Sequence, residues 1–459
     1  MYKQVFITMI TLLFVLTGNA QEVKKMSLDE AIAYALEHNP NVVSAQLGVE
    51  IADGRVSQNI ATGMPQISGN IDLANNFELP TSFLPNFITP SVYGVLLQEG
   101  LISSEPPTSS ELVPVQFGTK YSGSATLTLN QMIFDGSFFV GLDAAKAYKD
   151  LTGKELEKAK IDIAEAVSKA YYSVLVSEYR MELLNKNYGR LDTLLRETTQ
   201  MYENGFAEKI DMNRSKVQFN NIKVEKENSE KLLGITRSNL KILLGLTVND
   251  SLELTDVLSA DMFDKEAEND FQYTDRIEYS ILQSNQQLAM LDKKLNNSRY
   301  LPKLDLYATV GANLGTGVAA NIFDITNEWY EFGVIGLRMN IPIFDGLQKH
   351  YINQQKKLQL EQIDQSFDQM QRSMDLEVRD TKVKLDNAIA YLKAQKENME
   401  ISEEVYNVTK EKYEQGVGSN LEVINADADF KEAQTNFFVA LYSAVLAKID
   451  YKKSIGKLL

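Results

Sequence analysis

Asn130-Gln131-Met132-Ile133-Phe134-Asp135-Gly136 returns as Asn340-Ile341-Pro342-Ile343-Phe344-Asp345-Gly346, and the two Asp-Gly pairs stand 210 residues apart. Each copy marks a change of rhythm. Before it the chain alternates apolar and polar residues, and after it comes a helical pattern of roughly seventy residues without proline. The two helical stretches end in Tyr202-Glu203-Asn204-Gly205 and Tyr413-Glu414-Gln415-Gly416, whose glycines lie 211 residues apart. Two landmarks repeating at nearly one offset predict a chain built from two copies of one unit.

Working outward, the first long helix is expected over 136–203. Ile163, Val167, Ala170, Val174, Ser177, Met181, Leu184, Tyr188, Leu191, Leu195, Thr198 and Tyr202 step along it by threes and fours as a heptad seam. Its counterpart over 346–414 is seamed by Ile363, Phe367, Met370, Met374 and Val378, then Leu385, Ala388, Leu392 and Met399. Each turns at glycine and returns as a shorter helix, over 209–245 and 419–455. At 1.5 Å per residue the long helices are rods of about 100 Å.

Period two predicts four strands, over about 65–75, 119–133, 302–314 and 329–343. Ile67, Gly69, Ile71 and Leu73 alternate with Ser68, Asn70 and Asp72, and Leu127 and Leu129 alternate with Thr126, Thr128 and Asn130. Leu304, Leu306 and Val310 do the same against Lys303, Asp305 and Thr309, while Trp329, Tyr330 and Phe332 open the fourth strand where an interfacial aromatic belt would lie. Glu78 to Phe117 holds six of the ten prolines and no Lys or Arg, and reads as a long irregular loop. The expected organisation is repeat 1 over 21–247, an acidic connector over 248–270 and repeat 2 over 271–459, with short helices ahead of the first strand of each repeat.

Met1 to Ala20 has the form of a secretory signal peptide: Lys3, an apolar run from Val5 to Leu16, then small residues. The formal charge of −16 and the lack of any basic cluster argue against nucleic acid as a partner. There is no cysteine, hence neither a disulfide nor a lipid anchor carried on Cys. Beyond residue 20 no stretch approaches the roughly 18 consecutive apolar residues of a spanning helix, so entry into a membrane would have to be as strands. Four strands cannot close on themselves, and a spanning sheet with open edges leaves backbone groups unpaired in lipid. These features predict an α+β membrane protein in which several chains share one β-barrel. A secreted periplasmic coiled-coil scaffold or adhesion protein with a soluble β-tip stays open as the alternative.

Leu28-Asp29-Glu30-Ala31 through Asn39-Pro40, the strand starts Pro65-Gln66 and Pro302-Lys303, the paired Ile-Phe-Asp-Gly and the two tips resemble, in order and spacing, the TolC-like outer-membrane efflux proteins. The resemblance covers nearly all of the chain after residue 20. It implies a homotrimer with a twelve-stranded barrel in outer-membrane lipid, continued by a helical periplasmic tunnel. It also implies docking onto a periplasmic adaptor served by an inner-membrane pump, and a passive exit duct for efflux or type I secretion.

The resemblance places function at the tips, with Tyr202, Gly205, Phe206, Tyr413, Gly416, Val417 and Gly418 as the adaptor-docking surface. Acidic residues past the second tip ring the closed mouth in the family, and the matching positions here are Glu422 and Asn425, so one acid of the usual pair is missing. Ser419-Asn420-Leu421-Glu422 is also a capping box in its own right. Asp211, at the matching place after Gly205, is implied to tie the two hairpins together, with Tyr413 and Arg214 as partners. No enzymatic constellation, cofactor loop or metal-ligand spacing is found, and His38 and His350 stand apart from each other.

Overall fold

The computed structural model describes residues 23–86, 88–104, 112–258, 271–317 and 329–459. The expected signal peptide and residues 259–270 of the acidic connector lie outside them. In chain order the elements are β1 (Lys24–Met26), α1 (Leu28–His38), α2 (Pro40–Thr62), β2 (Gln66–Asn75), β3 (Thr81–Pro85), α3 (Ile88–Gln98), β4 (Leu112–Gln116), β5 (Tyr121–Phe134), α4 (Gly136–Glu203) and α5 (Lys209–Leu243). They continue with β6 (Leu252–Leu254), a 3₁₀ turn (Tyr273–Asp275), α6 (Ile277–Ser298), β7 (Lys303–Thr316), β8 (Tyr330–Asn340), α7 (Gln348–Glu414) and α8 (Asn420–Ser454). Two compact units result: a helical one from residues up to Gly54, Lys146–Met290 and Lys356–Leu459, and a sheet-bearing one from Arg55–Ala145 and Leu291–Gln355.

In the sheet-bearing unit, β2, β5, β7 and β8 pair in that order, antiparallel throughout. The register aligns Ser68, Thr128, Thr309 and Val334 across all four strands, and Ile67, Leu129, Ala308 and Ile335 on the opposite face. One face is therefore largely hydroxyl and amide, the other aliphatic. The polar face is not uniform, since β8 adds Phe332 and Val334 to it. Ile133 is skipped in the pairing of Met132 and Phe134, a bulge that ends the ladder just before Asp135.

Both repeated aspartates start a helix. Asp135 accepts from the Ser137 amide at 2.7 Å and pairs with Lys303 at 2.7 Å, while Asp345 accepts from the Lys349 amide at 3.1 Å. These are the N-terminal amides that no helical carbonyl can reach. A side chain on Gly136 would strike Leu301 at 2.6 Å, which explains glycine after the first aspartate. The second copy differs: Gly346 and Leu347 both take left-handed backbone, φ 68° and 69°.

The described part of Glu78 to Phe117 is not an irregular loop. Its described residues contain β3 and β4, paired from Thr81↔Gln116 to Pro85↔Leu112, and the helix α3. Three of its prolines lie where a missing amide hydrogen costs little: Pro85 ends a strand, Pro114 sits in a two-stranded ribbon, and Pro90 is in the first turn of α3. The connector likewise contains a strand, β6, which pairs parallel with β1 from Lys24↔Leu252 to Met26↔Leu254.

The helical unit packs around α4 and α8. Val167, Tyr171 and Val174 of α4 meet Ala31, Ala35 and Val42 of α1 and α2 and Leu240 and Leu244 at the end of α5. Phe437, Phe438, Leu441 and Val445 of α8 bury Leu392 of α7, and Tyr451 and Ile455 bury Leu385. Nearer the turns, Leu184, Leu191 and Leu194 meet Ile222, Tyr406, Val423 and Phe430. The flanking helices are less covered: Ile210, Val217, Val224, Ile235 and Ile242 on α5, and Leu376, Val383, Ile401 and Val408 on α7, are exposed. At the opposite ends of the return helices, the Asn39 amide donates to the Leu243 carbonyl at 2.7 Å and the Arg276 guanidinium to the Ser454 carbonyl at 2.9 Å. These carbonyls are 211 residues apart, the same offset as the tips.

Candidate functional site

The two tips have one geometry. Gly205 and Gly416 take φ of 81° and 74°, and no heavy atom lies within 4 Å of where a Cβ would stand. Backbone conformation, not crowding, therefore demands glycine there. The Phe206 amide donates to the Met201 carbonyl at 2.7 Å and the Gly205 amide to Tyr202 at 3.0 Å; Val417 to Lys412 and Gly416 to Tyr413 repeat this at 3.0 Å each. These are Schellman stops, which satisfy the last carbonyls of a helix and reverse the chain. They leave Phe206 85% and Val417 78% exposed, an apolar point on each hairpin. Tyr202 is also exposed, and a Cβ on Gly418 would press on the Tyr413 amide at 3.0 Å.

The start of α8 carries the acidic candidates. Ser419 Oγ accepts from the Glu422 amide at 3.3 Å, and the Glu422 carboxylate accepts from the Ser419 amide at 3.4 Å, so Glu422 closes the capping box. Glu422 and Asn425 are exposed, while Val423, Ile424, Ala426 and Asp427 are buried. Asp429 and Glu432 continue the exposed stripe at helical spacing, one and two turns past Asn425. Sequence comparison position by position missed them. The spacing of buried and exposed residues along α8 is the signal that finds them.

Asp211 is half-buried at the start of α5. Its carboxylate lies 3.7 Å from Arg214, and Asn420 Nδ2 donates to its carbonyl at 3.3 Å and to its carboxylate at 3.5 Å. The inter-hairpin contact of Asp211 is thus with Asn420. Tyr413 donates to the Met201 sulfur at 3.5 Å and has no direct bond to Asp211 among the described contacts. Burial pushes its phenol upward, the Thr198 hydrogen bond opposes this, and the charges of Asp211 and Glu197 add to the rise. Asp211, Arg214 and Asn420 are brought together; Glu422 stands apart on the exposed face.

Among the described residues no group of three metal-ligating side chains occurs, and no helix is long and apolar enough to cross a membrane. His38 stacks on Tyr34, and its Nδ1 lies 3.0 Å from the Tyr34 carbonyl.

The outer membrane efflux protein family model matches residues 31–246 and 281–457. Outer membrane protein TolC of Vibrio cholerae is 21% identical over 359 residues, covering 78% of this chain and 79% of that one. Alkaline protease secretion protein AprF of Pseudomonas aeruginosa is 21% identical over 343 residues, 73% of this chain and 68% of that one. Among solved structures, the outer membrane protein VceC of Vibrio cholerae superposes with a TM-score of 0.67 at 15% identity, covering 94% of this chain and 96% of that chain. The Campylobacter jejuni CmeC outer membrane channel gives 0.69 at 15% identity, covering 94% and 85%.

Proposed function

The chain belongs to the outer membrane efflux protein family, a channel of the bacterial outer membrane with its helical part in the periplasm, and from this premise we propose that it works as a passive homotrimeric exit duct. The observation that carries the reading is the sheet. Among the described residues the four strands end in two unpaired edges, β2 and β8, and lipid offers their backbone groups no partner. Three copies joined edge to edge make a barrel of twelve. The hydroxyl-rich face then turns to a water-filled lumen and the aliphatic face to lipid.

The exposed apolar seams of α5 and α7 support the same assembly. In one chain they flank the packed α4 and α8, and in a trimer α5 of one copy covers α7 of the next, completing a periplasmic tunnel of helices. The repeat boundaries at 21–247 and 271–459 are part of this proposal, supported by the matched tips and the matched carbonyl caps. The tips, with Phe206 and Val417 as their apolar points, dock a periplasmic adaptor that links the duct to an inner-membrane pump, for efflux or type I secretion. Glu422, extended by Asp429, puts carboxylates three at a time around the mouth, so that cations are favoured there.

The test is assembly and conductance. Purified from outer membranes, the protein is expected as a detergent-stable trimer that conducts cations in planar bilayers. Recovery in a soluble periplasmic extract without detergent would favour the scaffold reading instead.

A further inference from the structure

At the tips, among the described residues, no ion pair joins the two hairpins of one chain. Asn420 reaches Asp211 at 3.3 and 3.5 Å, the long end of the range for an amide donor, and Tyr413 donates to the weakly accepting Met201 sulfur at 3.5 Å. Farther along the rods lies a contact of another kind. Arg190 of α4 donates from Nη2 to Oδ1 of Asp427 on α8 at 2.7 Å, and Lys431 pairs with Oδ2 at 2.7 Å. Asp427 is 2% exposed. The guanidinium carbon lies 4.4 Å from the Tyr406 ring centroid on α7 and 5.2 Å from that of Phe430 on α8. One side chain of the first hairpin therefore grips both helices of the second.

Beside it, Asn187 donates to Gln434 at 2.8 Å, both buried. This polar layer is set into the apolar cluster that runs from Leu184 to Leu194 on α4 and includes Tyr406, Val423 and Phe430, and the cluster of Phe437 and Leu441 follows on the side away from the tips. Among the described residues it holds the last ion pair between the hairpins before the tips. Asp427 is closed off from water while Arg190 keeps 20% of its side chain exposed, so loss of Arg190 leaves a buried carboxylate with Lys431 alone and no water to replace the lost partner. The planar stacked guanidinium also fixes direction in a way an ammonium cannot. The tip contacts have neither property.

We infer that Arg190 and Asp427 form a clamp that holds the hairpins together and confines opening of the periplasmic end to the segments between the clamp and the tips. The inference rests on the reading of the tips as the mouth of a duct. Asp211 and Asn420 then act as a light latch, and the clamp is the fulcrum about which the freed tips move.

The experiment measures resting conductance of purified trimers in planar bilayers. Asp211→Ala removes the latch and is expected to raise conductance by less than about twofold; Asp427→Asn removes the fulcrum and is expected to raise it by about threefold or more. Arg190→Lys keeps the charge without the stacked fork and should fall between them. Seminative electrophoresis reports whether each variant is trimeric, and if Asp427→Asn does not assemble, Arg190→Lys carries the test. Wild-type conductance in every trimeric clamp variant would overturn the clamp while leaving the duct intact. No channel from any preparation, wild type included, would instead remove the duct reading and the clamp with it.

Discussion

Glu422 does two things at once with one carboxylate, and the two separate by substitution. As a cap it accepts from the Ser419 amide; as an exposed acid it contributes charge to the stripe it shares with Asp429. Glu422→Gln keeps an oxygen able to cap and loses the charge, so cation selectivity and divalent block in single-channel recordings should fall while folding is unchanged. Glu422→Ala should in addition cost about 1 kcal/mol or less of helix stability. Recordings in which Glu422→Gln leaves both properties unchanged would reduce Glu422 to a cap and leave the charge to Asp429. The tip glycines are a second case at this scale. Their φ values of 81° and 74° cost a β-branched residue about 1–2 kcal/mol or more, in open surroundings that otherwise tolerate a side chain. Val at Gly205 or Gly416 should abolish complementation of an export-deficient strain with trimer levels nearly intact, and survival of transport in both variants would place docking elsewhere.

At the scale of elements, α4 and α8 are joined away from the tips by charge as well as by apolar packing. Lys453 reaches Asp162 at 3.1 Å and Glu165 at 2.5 Å, and Lys169 joins Glu165 at 2.7 Å to Asp450 at 2.6 Å. Burial pushes the Glu165 carboxyl up, but hydrogen bonds and charge from Lys169 and Lys453 outweigh it and hold the group below its usual 4.5. Asp162 is lowered in the same way by Lys158 and Lys453. A carboxylate lowered in the folded state stabilises fully above its unfolded value and loses that contribution as pH falls through the folded one. Trimer heat resistance should therefore hold from neutral pH to about pH 4.5 and decline below it, with each partly solvated pair contributing on the order of 1 kcal/mol or less. Glu165→Gln should lower the neutral-pH value and shrink the acid-induced decline; an unchanged decline would assign acid sensitivity to other carboxylates.

At the scale of the molecule, the described residues of a single chain leave two sheet edges and two apolar helix seams uncovered, and in the proposed trimer both deficits are met by copies of itself. We expect no folded monomer: detergent extraction should yield trimer, and a monodisperse monomer with intact β-signal would contradict the assembly. Breaking the helix seam is a milder test. Val217→Glu and Val383→Glu each put charge on an exposed apolar position, which costs an isolated chain little. In the proposed trimer each should lower the dissociation temperature markedly, and an unchanged temperature would mean that these seams face solvent.

What the sequence determined by itself was whatever short-range physics decides. Period two marked four strands, period 3.6 with no proline marked two long rods, and Gly205 and Gly416 marked the reversals because only glycine takes that backbone cheaply. The capping box of Ser419 and Glu422 was legible for the same reason, since its partners are three residues apart. Folding decided what joins residues distant in the chain. Arg190 meets Asp427 across 237 positions and Asp211 meets Asn420 across 209, and no local pattern pairs them. Asp429 joined the acidic stripe only once the packing of α8 showed which side stays exposed. Residues 78–117 read as loop because proline breaks most regular structure, whereas Pro85, Pro90 and Pro114 occupy places where no backbone donor is needed, a property of the pairing and not of the residue.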